Sequence, residues 1–203
     1  MKISKIETQK KNKKRSTIYI DGQYAFGLAT EILLKFDLHE GDEITDDLIQ
    51  NVLLEQERQK IRERAFRLLN YRKRSIQEMK NRLLTIGFDS RLVDEVVAGF
   101  VRDQLLDDVT FAQAFVNDYT SLRPKGNIFI SRELAKKGIP RKVIEATVRT
   151  RDESLIARDF VRDKLSHLKI DDIKDRQKAI RRLLARGFTP GVVYDVIDNN
   201  EKR

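Results

Sequence analysis

The heptapeptide Arg82-Leu83-Leu84-Thr85-Ile86-Gly87-Phe88 returns one hundred residues later as Arg182-Leu183-Leu184-Ala185-Arg186-Gly187-Phe188. Over 82–97 against 182–197, seven of sixteen positions are identical. A weaker copy, Arg132-Glu133-Leu134-Ala135-Lys136-Lys137-Gly138-Ile139, lies between them. The three glycines stand 51 and 49 residues apart, giving three copies with a period of about fifty. A fixed period of this length marks a repeat architecture. In each copy the glycine can take the left-handed conformation that ends a helix, and the apolar residue after it can fold back on the last turn. A second helix then starts at once. Asp89 and Thr189 suit its N-cap, and Pro140 and Pro190 suit its first position. Apolar pairs follow at matching places, Leu92-Val93, Val143-Ile144 and Val192-Val193. A further helix precedes each pair, roughly over 56–72, 109–121 and 154–165. In the first copy Ser75 and Glu78 have capping-box spacing.

Each copy is therefore three helices that bury their apolar faces by stacking on neighbours. The expected fold is mainly α: three tandem three-helix repeats in an elongated, curved array, over 55–108, 109–153 and 154–203. A β-rich segment, 1–54, precedes them. There Ile3 to Glu7 alternates apolar and polar, and Asp21-Gly22 joins two β-rich runs as a two-residue hairpin turn. That register pairs Tyr19 with Tyr24 and Ile18 with Ala25, and leaves Lys10 to Lys14 as a loop. Two short helices are expected next, one near Thr30–Lys35 and one starting around Thr45. The three-stranded patch is too small to stand alone, so it should pack on these helices.

The chain has 203 residues and a formal net charge of +9, unevenly placed. Residues 1–15 carry +6, residues 16–57 carry −9, and the remainder carries +12. There is no Cys, and the two His, His39 and His167, lack ligand-like spacing. Disulfides, thiolate metal sites and a His-based triad are thereby excluded or disfavoured. No apolar run approaches the ~20 residues needed to cross a bilayer, and no signal-peptide stretch follows the N-terminus. The composition points to a cytoplasmic protein, without membrane partner or cofactor, whose partners are polyanions or acidic protein surfaces. No phosphate-binding glycine loop, zincin motif or nucleophile elbow is present. Asp107-Asp108 could hold Mg²⁺ for a nuclease, but one of the pair capping the helix at Val109 is the simpler reading.

The basic groups recur. Arg72-Lys73-Arg74 and Arg123-Pro124-Lys125-Gly126 occupy equivalent turns in copies one and two, and Lys174 and Arg176 are expected at that turn in copy three. Lys137 and Arg186 precede their glycines by one residue, with Lys136 beside Lys137. Arg132 and Arg181 precede the glycines by six. Lys178, Arg182 and Arg186 form a helical stripe at i, i+4 and i+8. Such a row can follow a phosphate backbone, with salt-sensitive binding, or face an acidic protein groove. The helix–turn–helix around Gly87 could also read DNA, although tandem copies without a dimer signal do not resemble a half-site reader. Base stacking is not indicated, since there is no Trp and Phe66, Phe88, Phe100, Phe111 and Phe188 fall at helix-core positions.

Three stretches together resemble the RecX family of bacterial RecA regulators. They are Tyr71-Arg72-Lys73-Arg74-Ser75, Leu105-Leu106-Asp107-Asp108 followed by Phe111-Ala112, and Lys125-Gly126 leading into Arg132 to Ile139. The stretch Lys5-Ile6-Glu7 to Lys10-Lys11, with Ile18 to Gly22 and Tyr24 to Gly27, resembles the N-terminal extension of a subset of that family. The resemblance implies a non-enzymatic, monomeric modulator in DNA repair, recombination and the SOS response. It would bind in the groove of the RecA–single-stranded DNA filament, inhibit ATPase and strand exchange, and promote disassembly. Single-stranded and double-stranded DNA are the implied nucleic-acid partners. The alternative is a repeat protein that binds DNA directly, with no recombinase.

Overall fold

The computed structural model describes residues 1–200, the side chain of Asn200 excepted. At the expected hairpin the chain reverses through Asp21 and Gly22, both at positive φ (49° and 83°). This turn joins β2 (Asn12–Ile20) to β3 (Gln23–Ala29), and β1 (Ile3–Gln9) lies antiparallel on the other side of β2. Tyr19 faces Tyr24, as the two-residue turn requires. Ile18, however, faces Phe26 and not Ala25, because a bulge between Ile18 and Tyr19 inserts one unmatched residue. The bulge keeps Ile18 and Leu28 fully buried. The expected Lys10–Lys14 loop is also shorter than its sequence suggests. Gln9 pairs with Asn12, so only Lys10 and Lys11 make the turn, and Lys13 and Lys14 belong to β2.

Helix α1 (Thr30–Lys35) follows directly and turns Ile32 and Leu33 into the sheet's core with Ile3, Ile18 and Leu28. Leu38, Ile44 and Val52 complete that core. The helix expected as a second short one is instead the start of α2 (Asp46–Tyr71), 26 residues long. The Thr45 hydroxyl accepts from the Leu48 amide at 3.2 Å, and no Gly or Pro interrupts the helix as far as Tyr71. The 54/55 boundary drawn from the change in composition therefore falls inside one continuous helix. Within α2, Ile61, Ala65 and Leu68 form the buried stripe. Phe66 lies one residue off that stripe and is 45% exposed, contrary to the core position expected of it.

The chain divides into two compact units, one of Met1–Tyr71 with Leu83–Val96, the other of Arg72–Arg82 with the chain from Val97 onward. Helices α3 (Ile76–Ile86) and α4 (Ser90–Arg102) contribute residues to both. The second unit continues with α5 (Asp108–Asn117), a π-helical turn (Asp118–Leu122), α6 (Asn127–Lys136) and α7 (Arg141–Arg149). Then come α8 (Glu153–Lys164), α9 (Ile173–Ala185) and α10 (Pro190–Asn200). Two cores in this unit correspond to the second and third copies. Phe111, Ala112, Val116, Ile130, Leu134, Ile139 and Ile144 build one. Ala157, Phe160, Val161, Leu183, Phe188, Val193 and Ile197 anchor the other.

The local signals act as their chemistry requires. Gly87, Gly138 and Gly187 all take positive φ (101°, 76° and 77°). The amides of Ile139 and Phe188 fold back to the carbonyls of Leu134 and Leu183, at 3.1 and 3.3 Å. Ser75 and Glu78 form the reciprocal capping box, with bonds of 3.1 and 3.4 Å. Asp107 caps α5 by accepting from the amides of Val109 and Thr110. The helix expected over 109–121 departs from plan at its end. It loosens into the π turn, where the Arg123 amide reaches the Asp118 carbonyl at 3.1 Å.

Candidate nucleic-acid interface

The second unit contains a recurrent joint. In copies one and two, the segment entering the middle helix receives the C-terminal cap of the next copy's middle helix. The Ser75 hydroxyl donates to the Lys137 carbonyl at 2.6 Å, and the Lys137 ammonium reaches Glu78 at 2.7 Å. One repeat further on, the amides of Gly126 and Ile128 donate to the carbonyls of Arg186 and Gly187, at 3.1 and 3.0 Å. The Arg186 guanidinium donates to the Pro124 carbonyl at 3.0 Å. Burial pushes the Glu78 carboxyl up, but the hydrogen bonds from Arg72 and Lys137 outweigh it and hold it at about 2.

A second device recurs beside it, and the sequence reading missed it. The first acid of each acidic pair caps its own helix, Asp107 on α5 and Asp152 on α8. The second acid reaches elsewhere. Buried Asp108 accepts from the Ile76 amide at 3.0 Å, where α3 begins. Buried Glu153 accepts from the Asn127 amide at 2.6 Å, where α6 begins. Glu153 also accepts from the Thr189 hydroxyl at 2.9 Å. The signal was an acid at the first position of the helix behind an N-cap acid. Among the described residues no group of three or more acids and histidines could hold a metal ion.

The joint between copies two and three has a cleft on its flank. Arg123, Lys125, Lys164, Arg182 and Arg186 line it, with Leu122, Pro124, Phe160, Leu165 and Ala185. Among the described residues none of the five cations forms an ion pair with a carboxylate. Burial, and then the charges of Arg186 and Arg132, lower the Lys125 ammonium from its usual range. Two of the cations are steadied by aromatic faces. Lys125 lies 4.6 Å from the Phe129 ring centre, and Arg186 lies 4.3 Å from that of Phe160. The wall carrying Arg123 and Lys125 is fixed from behind by half-buried Arg151. Its guanidinium donates to the Lys125 carbonyl at 2.9 Å, to the Thr120 hydroxyl at 3.0 Å and to the Asn127 amide oxygen. A cleft lined by five cations and apolar side chains, with no carboxylate among its lining residues, is suited to an anion.

The other basic candidates are placed differently. Arg72 is held by Glu78 at 2.9 Å, exposed Lys73 stands in the same turn, and Arg74 is half-buried. Lys136 and Arg132 both approach Glu133, at 2.9 and 3.5 Å. Lys137 points at Glu78, between the rings of Phe111 and Phe115. Lys174 and Arg176 are not in the third copy's turn. Asp172 caps α9, so both lie in its first turns, and Arg176 pairs with Asp198. On the same helix Lys174, Lys178, Arg181 and Arg182 are exposed. Arg182 alone of these reaches the cleft, with His167 at 3.4 Å. Lys164, a cleft residue, was not singled out. It lies one turn after Phe160, on the face that α8 shows to the cleft.

Fold and site together define a basic protein of tandem three-helix repeats with a small β-sheet domain ahead of them. Comparison with known proteins makes this specific. Residues 1–45 match the regulatory protein RecX N-terminal domain, residues 62–98 the first RecX three-helix domain, and residues 107–148 the second. The regulatory protein RecX of Halalkalibacterium halodurans is 32% identical over 95% of the chain and 76% of its own length. That of Bacillus velezensis is 30% identical over 98% of the chain and 77% of its own. A crystal structure of regulatory protein RecX superposes with a TM-score of 0.77 at 27% identity, covering 97% of this chain and 98% of that one. RecX from Lactobacillus salivarius shares the fold over 72% of the chain, at a TM-score of 0.63 and 20% identity. The chain belongs to the RecX family of regulatory proteins.

Proposed function

We propose that the protein is a non-enzymatic regulator of the RecA recombinase. It docks in the groove of the RecA–single-stranded DNA filament, slows ATP turnover and strand exchange, and promotes disassembly. It acts as a cytoplasmic monomer. Membership of the RecX family supports the partner. The observation that carries the mode of action is the cleft of Arg123, Lys125, Lys164, Arg182 and Arg186, five cations with no carboxylate partner among the described residues. In a nucleoprotein filament the DNA phosphates can supply the missing counter-charge. The exposed face of α9, with Lys174, Lys178 and Arg181, extends the positive surface, and the first-copy turn at Arg72, Lys73 and Arg74 is a further point of contact.

The test compares binding to RecA-coated and bare single-stranded oligonucleotides by anisotropy, with ATP turnover measured alongside. Tighter binding to the coated strand with slowed turnover is expected. R182E with K164E should weaken binding at least tenfold without changing the thermal midpoint. Equal binding to coated and bare strands, with turnover unaffected, would overturn the regulator reading. It would favour the second one, direct DNA binding, to which the unpaired cations also lend themselves.

A further inference from the structure

The first unit carries a separate concentration of positive charge. Summed over its residues, this unit has a net charge of −1, yet its first fifteen residues hold +6. The charge collects at the β1–β2 turn. Lys10 and Lys11 form the turn, and Lys13 and Lys14 follow in β2. All four are exposed, and among the described residues none has an ion-pair partner. By contrast, Lys5 on the same sheet is paired with Glu7 at 3.4 Å.

The backbone concentrates these side chains further. Thr8 pairs with Ser16 but Gln9 pairs with Asn12, so Lys13, Lys14 and Arg15 bulge out with no partners on β1. The bulge is braced from within. Half-buried Arg15 donates to the Gly27 carbonyl at 3.0 Å, and the Gln9 side chain donates to the Thr17 hydroxyl at 3.4 Å. Asn12 accepts from the Lys14 amide at 3.1 Å. The lysines therefore ride on a fixed two-stranded ribbon and not on a loose arm.

The chemistry of the tip selects among polyanions. From Thr8 to Thr17 there is no apolar or aromatic residue. Protein interfaces concentrate aromatic residues and deplete lysine, and single strands are gripped by stacking on aromatic rings. The major groove of duplex DNA, about 12 Å wide, admits a two-stranded β-ribbon. We infer that this hairpin is a duplex-DNA contact: Lys10, Lys11, Lys13 and Lys14 neutralise backbone phosphates without reading sequence. It is a site separate from the cleft of the second unit, and its action does not depend on the recombinase.

The test uses the full chain with K10Q/K11Q/K13Q/K14Q, and a milder K10Q/K11Q, titrated onto two unrelated duplexes of about 20 base pairs across a salt series. Each neutralised phosphate contributes a slope of about 0.9 in log K against log salt. The fourfold variant should therefore lose about 3.6 in slope and at least tenfold in affinity, equally for both duplexes. The double variant should lose about half that slope. An unchanged slope in the double variant, whose substitutions are confined to the turn, overturns the inference even if the fourfold variant fails to fold. So does unchanged duplex binding with weakened recombinase binding, which would assign the hairpin to an acidic protein surface. Loss of duplex binding with normal control of recombinase turnover upholds it. A wild-type chain that binds duplex through the hairpin but leaves turnover untouched upholds it too, while refuting the regulator reading.

Discussion

Gly126→Ala tests whether the repeats are joined main chain to main chain. Gly126 sits at φ −77° and ψ 168°, a conformation open to alanine, so the residue's own backbone raises no objection. The objection comes from across the joint. A Cβ there would lie 2.1 Å from the Gly187 carbonyl oxygen and 2.1 Å from the Phe188 Cα. Both are backbone atoms, which cannot swing aside as a side-chain end can. Relief requires separating α6 from the end of α9. That lengthens the bonds from the Gly126 and Ile128 amides, at about 1 kcal/mol each, and adds overpacking of about 1–3 kcal/mol. The expected loss is about 3–5 kcal/mol, or roughly 6–20 °C in the thermal midpoint for a chain of this size. Urea denaturation followed by far-UV circular dichroism measures it. Two other glycines calibrate the result. Gly87 has open space around its Cβ position but a φ of 101°, so G87A should cost only the left-handed penalty, about 1–2 kcal/mol. Gly191 has neither constraint, and G191A in α10 should gain up to about 1 kcal/mol. If G126A stayed within about 0.5 kcal/mol of wild type, the joint would not be held by backbone contact and the reasoning would fail.

Other expectations concern the carboxylates of the same unit. With Glu78 held at about 2 against an ordinary 4.5, its contribution to stability is present above pH 4.5 and fades as pH falls toward 2. K137M should raise the Glu78 titration midpoint, read by carbon NMR, and flatten the acid limb of the stability curve. An unmoved midpoint would show that Lys137 does not reach Glu78 in solution. Burial raises the Asp108 carboxyl, with Asp107 adding to it, against the Ile76 amide. Its charged form thus costs stability as pH rises through its folded-state pKa. D108N, which keeps the acceptor without the charge, should equal or exceed wild type at pH 7, whereas D108A should lose about 1–3 kcal/mol. Equal stability of the two variants would mean that the bond to Ile76 is not needed.

Much of the helical framework was legible because it is written in short-range chemistry. A glycine followed by an apolar residue forced each helix end at 87, 138 and 187, and Ser75 with Glu78 spelled a capping box. The bulge at Ala25 was not legible, since nothing in the hairpin's residues distinguishes one unmatched residue from a regular ladder. The length of α2 was hidden because Gly and Pro become sparse and apolar spacing turns helical only near Glu55, although no helix-breaking residue stands between Asp46 and that point. At the candidate site the recurrence of Lys137 and Arg186 before their glycines was visible, but its geometry was not. In the structure both side chains reach the preceding repeat, Lys137 to Glu78 and Arg186 to the Pro124 carbonyl. Lys164 and Arg151 escaped notice because their places depend on contacts made far along the sequence.

The joint at Gly126 and Gly187 also sets how the cleft can respond to a ligand. Its two walls, Arg123 with Lys125 on one side and Arg182 with Arg186 on the other, meet at a seam of main-chain hydrogen bonds, to which the Arg186 guanidinium adds its bond to the Pro124 carbonyl. The backbone of the two walls is thereby tied together before anything enters. The spacing of the backbone that carries its charges is established when the protein folds, so occupancy requires little ordering of the main chain, and the cost of binding falls on the long side chains.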